Sequence, residues 1–315
     1  MKKVLVIGAF GQIGSELVPE LRKKYGKENV IATDIKPASP EAQNHGPTGV
    51  LDATKKEQID ACVEKNGVDA IYHLASILSA AGEKNPQFAY FVNNTTLYNV
   101  LETAREKKLE RVMVPSSIAV FGPETPRDNT PNETILKPTT MYGISKVHGE
   151  LLGNYYFKKF GVDVRGLRLP GIISNVTQPG GGTTDYAVEI YYYAVKRQHY
   201  TCFLKPDSAL PMMYMPDALR AIIQLAEADG SKLKHRTDFN VSAMSFSPAE
   251  IAAAIQQEIP EFTISYKPDF RQAIADSWPK SIDDSAAREE WGWKPEYDLT
   301  AMTKDMIKQL SKRAY

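Results

Sequence analysis

The chain has 315 residues, of which 43% are hydrophobic and 24% are charged, proportions typical of a soluble globular protein with room for two lobes around a cleft. Its 38 basic and 38 acidic side chains balance without a long run of Lys or Arg, so no nucleic acid or anionic membrane is expected as a partner. No stretch approaches the roughly 18 apolar residues of a spanning helix and the first apolar run, VLVI, is too short for a signal peptide, so we expect a cytoplasmic protein.

The N-terminal half alternates short apolar runs with amphipathic segments, a pattern typical of βαβ units around a parallel sheet. The predicted strands are Val4–Ile7, Val30–Asp34, Ala70–Leu74, Arg111–Pro115 and Val162–Leu169. The predicted helices are Ile13–Tyr25, Phe88–Lys107 and Thr140–Phe160. This order predicts an α/β fold with a Rossmann-type, doubly wound parallel sheet.

Beyond Pro170 the sequence pattern changes: a glycine-rich segment at 178–185 is followed by predicted helices that are separated by proline-containing loops. We therefore expect a dinucleotide-binding Rossmann domain at residues 1–170 and a smaller C-terminal α/β substrate-binding lobe at residues 171–315. The boundary between them is approximate, and we expect the two lobes to be interleaved.

The first predicted strand runs directly into GAFGQIG, which places glycines at Gly8, Gly11 and Gly14 ahead of a helix. Glycines allow the tight turn and the close approach of a pyrophosphate to the helix N-terminus, although such a turn also occurs in other α/β proteins. Asp34 ends the second strand 20 residues after Gly14. An acid there accepts hydrogen bonds from the adenosine ribose and repels a 2′-phosphate, which favours NAD over NADP, while the nearby Lys36 leaves NADP open.

A second group of residues predicts alcohol oxidation. Tyr142 and Lys146, in YGISK, are four residues apart and share one face of the third predicted helix. Ser117 follows the strand RVMV at the edge where open α/β sheets bind ligands, with Ser116 as the competing serine. A tyrosine that acts as a base near neutral pH needs its pKa of about 10 lowered by roughly 3 units, and Lys146 and a positive nicotinamide ring would be the sources.

The order of four motifs, GxxGxxG, HLAS at His73–Ser76, SSIAVFG and YGISK, resembles the extended short-chain dehydrogenase/reductase family over nearly the whole chain. The resemblance implies that Ser117, Tyr142 and Lys146 are catalytic. It also implies a homodimer built on the helices Phe88–Lys107 and Thr140–Phe160. The cofactor contacts implied by the glycine pattern and by the resemblance together are Gly8, Gly11, Gln12, Ile13, Gly14, Asp34, Leu51, Asp52, Leu74, Ala75, Tyr142, Lys146 and Leu169.

Longer segments, among them SSIAVFGPETP, PMMYMPDA and PDFRQAIADSWP, are similar to the branch of this family that contains the short-chain L-threonine 3-dehydrogenases. That similarity implies NAD-dependent oxidation of L-threonine to 2-amino-3-oxobutanoate. Hydroxyl donors and a carboxylate suit a small zwitterion, and Trp278 could cap it or simply pack in the core. The expected substrate contacts are Ser79, Ser117, Tyr142, Thr183, Thr184 and Asp185, although 178–185 could also be only a well-bonded loop.

Two other functions remain open at this point. A nucleotide-sugar epimerase or dehydratase shares the fold and the triad, but it needs to bind a diphosphate, and the arginines of the second half are scattered. A non-catalytic NAD-sensing protein is disfavoured because both Tyr142 and Lys146 are present. Cys62, Cys202 and the five histidines show no metal-ligand spacing, so no metal is expected.

Overall fold

The computed structural model describes residues 1–178 and 180–313; residues 179, 314 and 315 of the expected substrate-binding lobe lie outside the described residues. In chain order the strands are β1 (Val4–Ile7), β2 (Val30–Asp34), β3 (Thr48–Val50), β4 (Ala70–His73), β5 (Arg111–Met113), β6 (Ser116–Ser117), β7 (Val164–Arg165), β8 (Leu167–Leu169), β9 (Gly171–Ile173), β10 (Tyr200–Cys202), β11 (Leu210–Tyr214), β12 (Phe239–Asn240), β13 (Met244–Phe246) and β14 (Ile264–Tyr266). The helices are α1 (Gln12–Tyr25), α2 (Pro40–Asn44), α3 (Lys56–Asn66), α4 (Ser79–Gly82), α5 (Pro86–Glu106), α6 (Met141–Phe160), α7 (Tyr186–Val195), α8 (Met215–Glu227), α9 (Pro248–Glu258), α10 (Arg271–Asp276), α11 (Ser285–Trp291) and α12 (Leu299–Ser311).

The main sheet has the strand order β3-β2-β1-β4-β5-β7, and all of its strands run parallel. Strand β1 is its centre, with Val4 paired to both Val30 and Ala70. This order confirms the predicted α/β class and Rossmann-type sheet. Strands β1 and β2 have the predicted bounds, whereas the edge strand β3 was not predicted, because its three residues, TGV, are too few to show a pattern.

Helices cover both faces of this sheet, as the continuous apolar strands require. Val4 and Val6 of β1 point into a core shared with α1 and α8. Leu5 and Ile7 point the opposite way, into a core shared with α3, α5 and α6. Because successive side chains of a strand alternate between its faces, an unbroken VLVI run serves both layers.

The predicted strand Val162–Leu169 is wrong as a single element, because the chain breaks at Gly166 into β7 and β8. Strand β7 extends the main sheet beside β5, whereas β8 lies between β6 and β12 in a separate small sheet. The N–H of Gly166 donates to the Arg236 carbonyl at 2.8 Å. A Cβ at this position would lie 2.5 Å from the carbonyl oxygen of Val114 and 2.8 Å from that of Thr237, so only glycine fits where the chain changes sheets.

A second core around α7, α9 and α12 comes mostly from the second half of the chain and also includes residues 118–121 and Tyr142. It lies beside a sheet of order β13-β11-β9 and the parallel pair β10-β14. Tyr186 and Tyr191 of α7 are fully buried there, and the Tyr191 hydroxyl lies 2.7 Å from Thr303 Oγ1. Strand β9 directly follows β8 after Pro170, and β8 pairs with β6. The chain therefore enters this second core next to the end of β6. Among the described residues, no helix combines the length and the apolar character needed to cross a membrane.

We predict that Gly166→Ala lowers the free energy of unfolding by about 1–3 kcal/mol, the usual cost of overpacking, because the new methyl group meets backbone that cannot yield. Urea denaturation of the variant and of the parent protein measures this loss. Gly180→Ala is the matched control, since a Cβ there meets no described atom within 4 Å. Equal midpoints for the Gly166 variant and the parent would contradict the close approach at residue 166.

Candidate active site

A cavity of about 620 Å³ lies beyond the carboxyl ends of β1 and β4 and reaches the loops that follow β6 and β9. Its volume is in the range of small-molecule sites. Most of the residues expected to bind cofactor or substrate line it, namely Gly8, Gly11, Gln12, Ile13, Gly14, Leu74, Ser79, Ser117, Tyr142, Lys146, Leu169, Thr183, Thr184 and Asp185. Trp278, Lys36 and Ser116 line it as well.

The glycine-rich turn brings backbone to the floor of the cavity. Gly8 has a φ of +83°, and a Cβ on it would lie 2.6 Å from the backbone nitrogen of Ala75. A Cβ on Gly14 would clash with the carbonyl oxygen of Gly8, so this glycine lets α1 pack against the turn. Helix α1 starts at Gln12 without a side-chain cap, and its first N–H groups, which have no intrahelical acceptor, lie at the cavity.

Asp34 is held at the end of β2 by two backbone donors. Its Oδ2 accepts from the Phe10 N–H at 3.1 Å and its Oδ1 accepts from the Lys36 N–H at 3.3 Å. The carboxylate is therefore fixed next to the glycine turn while lone pairs remain for a ligand. Leu51 is tied to the same place, since its N–H donates to the Asp34 carbonyl at 2.8 Å.

Asp52 does not line the cavity. Its Oδ1 accepts from the Thr54 N–H at 3.0 Å and from the Thr54 hydroxyl at 2.7 Å, which closes a turn ahead of α3. Ala75 lies behind the glycine turn, against Gly8. Four of the expected cofactor contacts therefore lie near the cavity without lining it: Asp34, Leu51, Asp52 and Ala75.

Ser117, Tyr142 and Lys146 meet because the turn after β6 packs directly on the first turn of α6. Thr140 caps that helix by accepting from the Gly143 N–H at 3.1 Å. Ser117 and Tyr142 line the same cavity, and the Ser117 side chain is near enough to lower the pKa of Tyr142. The Lys146 Nζ lies 5.4 Å from the centre of the Tyr142 ring and donates to the Pro115 carbonyl at 2.9 Å.

Burial dominates the electrostatics of this group. It raises the pKa of Tyr142 to about 12, against the nearby Ser117 side chain, which lowers it. Burial also lowers the pKa of Lys146 to about 8. The expected depression of the Tyr142 pKa is therefore not produced by the protein groups themselves, because a buried phenolate loses its hydration and the buried ammonium beside it is itself destabilised.

The two candidate serines differ in their partners. The Ser116 hydroxyl donates to Glu150 Oε1 at 2.5 Å, so its proton is directed into the protein interior. The Ser117 hydroxyl instead accepts from the Ala119 N–H at 3.2 Å, and its side chain is near enough to Tyr142 to lower the pKa of that tyrosine. This geometry favours Ser117 as the serine that faces a ligand.

The residues expected to contact the substrate come from both lobes. Ser79 begins α4, and its Oγ lies 3.1 Å from Thr183 Oγ1, with both side chains buried. Asp185 Oδ2 accepts from the Gly181 and Gly182 N–H groups at 2.9 and 2.8 Å, and burial raises the pKa of this carboxyl. The Asp185 carboxylate therefore stabilises the glycine-rich loop as well as lining the cavity.

Several contributors to the site were not predicted, among them Thr177 and His73. Thr177 lines the cavity, and its Oγ1 lies 2.8 Å from Ser15 Oγ, which links the loop after β9 to helix α1. Buried His73 also lines the cavity, and its Nε2 lies 3.1 Å from Thr96 Oγ1. Neither a single threonine in a loop nor a histidine at a strand end carries a sequence signal that separates it from ordinary packing.

Comparison with known proteins identifies the family of the chain. The model of the NAD dependent epimerase/dehydratase family matches residues 4–242. A curated protein of Staphylococcus saprophyticus, named as an uncharacterized epimerase/dehydratase, is 54% identical over 309 residues, which are 98% of this chain and 96% of that protein.

Two solved structures are similar over their whole length. The holo form of an L-threonine dehydrogenase from Cupriavidus necator is 54% identical, with a TM-score of 0.96 over 98% of this chain and 99% of that one. A monomeric L-threonine 3-dehydrogenase from a metagenome, in its apo form, is 47% identical, with a TM-score of 0.95 over 98% and 99% of the two chains. By its sequence, sheet and glycine turn the chain belongs to the NAD-dependent epimerase/dehydratase family, within the extended short-chain dehydrogenases/reductases.

Proposed function

We propose that the protein oxidises the secondary alcohol of L-threonine to 2-amino-3-oxobutanoate with NAD as the hydride acceptor. The observation that carries the proposal is one cavity lined both by Ser117, Tyr142 and Lys146 and by the paired hydroxyls of Ser79 and Thr183. The L-threonine dehydrogenases among the similar structures support the same substrate.

The residues at the glycine turn fit a dinucleotide. The backbone at Gly8 and Gly14 leaves space that a Cβ would fill, and the first turn of α1 supplies N–H donors for a pyrophosphate. Asp34 would accept from the adenosine ribose hydroxyls, with Leu51 and Asp52 nearby. Leu74, Ala75 and Leu169 would flank the cofactor toward Lys146. When bound, the oxidised nicotinamide accepts the hydride.

Tyr142 takes the hydroxyl proton of the substrate, and Ser117 donates a hydrogen bond to the substrate oxygen. Lowering the Tyr142 pKa from about 12 to about 8 requires roughly 5 kcal/mol in favour of the phenolate. The positive charge of the oxidised nicotinamide would supply the stabilisation that the protein groups alone do not, with the Lys146 ammonium supporting the phenolate once it forms.

The zwitterionic end of the substrate needs donors for its carboxylate and acceptors for its ammonium group. The hydroxyls of Thr183 and Thr184 would serve the carboxylate, while Ser79 Oγ and the Asp185 carboxylate would accept from the ammonium group. Trp278 is buried at the cavity wall, where its ring would cover the small substrate.

NADH formation tests the substrate assignment. Purified protein is mixed with NAD and with L-threonine, L-allo-threonine, L-serine or UDP-glucose, and NADH absorbance is followed. We expect rapid NADH formation with L-threonine and little with the other three compounds. No NADH formation with any of the amino acids, together with epimerisation of the nucleotide sugar, would contradict the proposal and assign the protein an epimerase activity instead.

Tyr142→Phe is expected to reduce kcat/KM for L-threonine by about 10³-fold, within the range for loss of a general base, because the ring remains and only the proton acceptor is lost. Stopped assays measure turnover, and quenching of protein fluorescence by NAD measures cofactor binding, which should stay within about two-fold. Tyr193→Phe, at a half-exposed tyrosine of α7, is the control. Retained turnover in the Tyr142 variant would remove Tyr142 as the base.

Asp34→Ala is expected to raise KM for NAD by about 10-fold or more, the effect of losing hydrogen bonds to a charged acceptor, and to bring KM for NADP closer to it. Initial rates with the two cofactors at saturating L-threonine measure both changes. Asp128→Ala removes an exposed acid as the control. An unaltered ratio between NAD and NADP would show that Asp34 does not select the cofactor.

We further propose a homodimer formed by α5 and α6. These helices pack side by side and together expose Phe91, Tyr98, Leu151 and Tyr155, each at least half accessible. Burial of such a patch favours association.

Light scattering after size exclusion is therefore expected to give about twice the chain mass of 35.1 kDa. Leu151→Asp should return the protein to one chain, whereas Ile135→Asp, at an exposed apolar residue elsewhere, should not. A single chain mass for the parent protein at micromolar concentration would contradict the dimer.

A further inference from the structure

Helix α6 carries a third polar residue on the face that holds the catalytic pair. Glu150 follows Lys146 by one turn, as Lys146 follows Tyr142, so the three side chains lie in one row. Its side chain is only 4% exposed. The proposed function, on which the present inference rests, gives Glu150 no role.

The Glu150 carboxylate is bound on two sides. Arg168 donates to it through Nε at 2.9 Å and Nη2 at 2.8 Å, and the Ser116 hydroxyl donates at 2.5 Å. Burial raises the pKa of Glu150, while the two-point contact with Arg168 and the hydrogen bond from Ser116 stabilise the carboxylate form. Glu150 therefore joins α6 to β6 and to β8.

The contact of Glu150 with Ser116 and Arg168 lies next to Ser117. Strands β6 and β8 pair with Ser116 opposite Arg168 and Ser117 opposite Leu169. The carbonyl of Glu150 also accepts from the Thr237 hydroxyl at 2.9 Å. A change at residue 150 would thus reach both the strand that presents Ser117 and the helix that presents Lys146.

A second, small cavity of about 30 Å³ lies behind the catalytic lysine. Lys146 lines both this rear cavity and the main one, and Glu150 lines the rear cavity. Within the described part of the chain, His73 Nδ1 and Ser76 Oγ are buried there without a hydrogen-bond partner. The volume and the polar lining suit one or two water molecules between Lys146 and Glu150.

The charged and titratable groups around Lys146 come from several elements. On β4, burial and the charge of Lys146 lower the pKa of His73 to about 3, so that ring is neutral at working pH. On α5, Asn93 at the rear cavity is uncharged, and on β8 the charge of Arg168 is balanced by Glu150. On α6, Tyr142 is neutral below its high pKa, and Glu150 is the anion that raises the pKa of Lys146 against burial.

We propose that Glu150 is a positioning residue: anchored by Arg168, it holds the strand that presents Ser117 and keeps Lys146 protonated across the rear cavity while Tyr142 accepts the substrate proton. No step of the chemistry passes through Glu150 itself. Its influence is electrostatic and geometric, and it acts through Lys146 and Ser116.

Glu150→Gln tests this role because it removes the charge and keeps the shape. Without the anion, the Lys146 ammonium is less stable, so the Tyr142 phenolate loses support and forms only at higher pH. The rising limb of kcat/KM for L-threonine against pH should move upward by about half a unit to one unit, with kcat largely recovered above it. Glu150→Asp, which keeps the charge, should return the limb toward that of the parent protein.

The single variant leaves Arg168 buried without its partner, and this could unfold the protein. The double variant Glu150→Gln/Arg168→Gln removes both charges, and its limb should move in the same direction by a smaller amount, because no unpaired Arg168 charge is left to destabilise the Lys146 ammonium further. Asp163→Asn is the control, since it removes a partly buried acid that pairs with buried Arg165 at 2.8 Å and lines neither cavity. It should lose stability but keep the limb in place.

Carbon-13 NMR titration of the Lys146 Cε, assigned with Lys146→Met, separates this inference from the proposed function because it needs no turnover. A lower Lys146 pKa in the Glu150 variants than in the parent protein supports the positioning role, even if L-threonine proves not to be the substrate. If the Lys146 titration is the same in the parent protein and in the single and double variants, the role of Glu150 is overturned, whether or not L-threonine is oxidised.

Discussion

The parallel strands of the main sheet all end at one edge, and the expected cofactor residues of the first half lie just beyond those ends. Gly8 follows β1, Asp34 closes β2 and Leu74 follows β4. Parallel pairing produces this convergence, since every crossover helix returns the chain to the opposite edge. The buried VLVI strand at the centre, packed on both faces, makes the edge rigid enough to hold a ligand.

At that edge the protein contains two groups that burial makes hard to ionise, Tyr142 and Lys146. A desolvated pair of this kind is poorly active by itself, but it responds strongly to any charge brought into the cavity. Under the proposed function, the positive nicotinamide would provide that charge on one side, and Glu150 would stabilise the protonated form of Lys146 on the other. The base would then be activated when the cofactor is present.

The sequence predicted correctly those elements whose structure is determined by residues close together in the chain. Strands β1 and β2, the glycine turn and the Tyr142–Lys146 spacing depend on neighbours within a few residues, and each lies where it was expected. The break at Gly166 was missed because it is imposed by the backbones of Val114 and Thr237, which are distant in the chain.

The Ser79–Thr183 contact joins residues 104 apart, so no periodicity could indicate it. Glu150 was missed although its spacing from Lys146 was readable, because an acid on a helix is usually exposed to solvent. Its burial depends on Arg168, which arrives from another strand.

The central claim is that a hydride leaves the alcohol carbon of L-threonine in this cavity. Turnover of L-threonine carrying deuterium at C3, followed by mass analysis of the nicotinamide cofactor, tests it most directly. The proposed function predicts deuterium in the NADH and a slower reaction than with unlabelled L-threonine. Deuterium that remains on the amino acid, with no reduced cofactor formed, would contradict it.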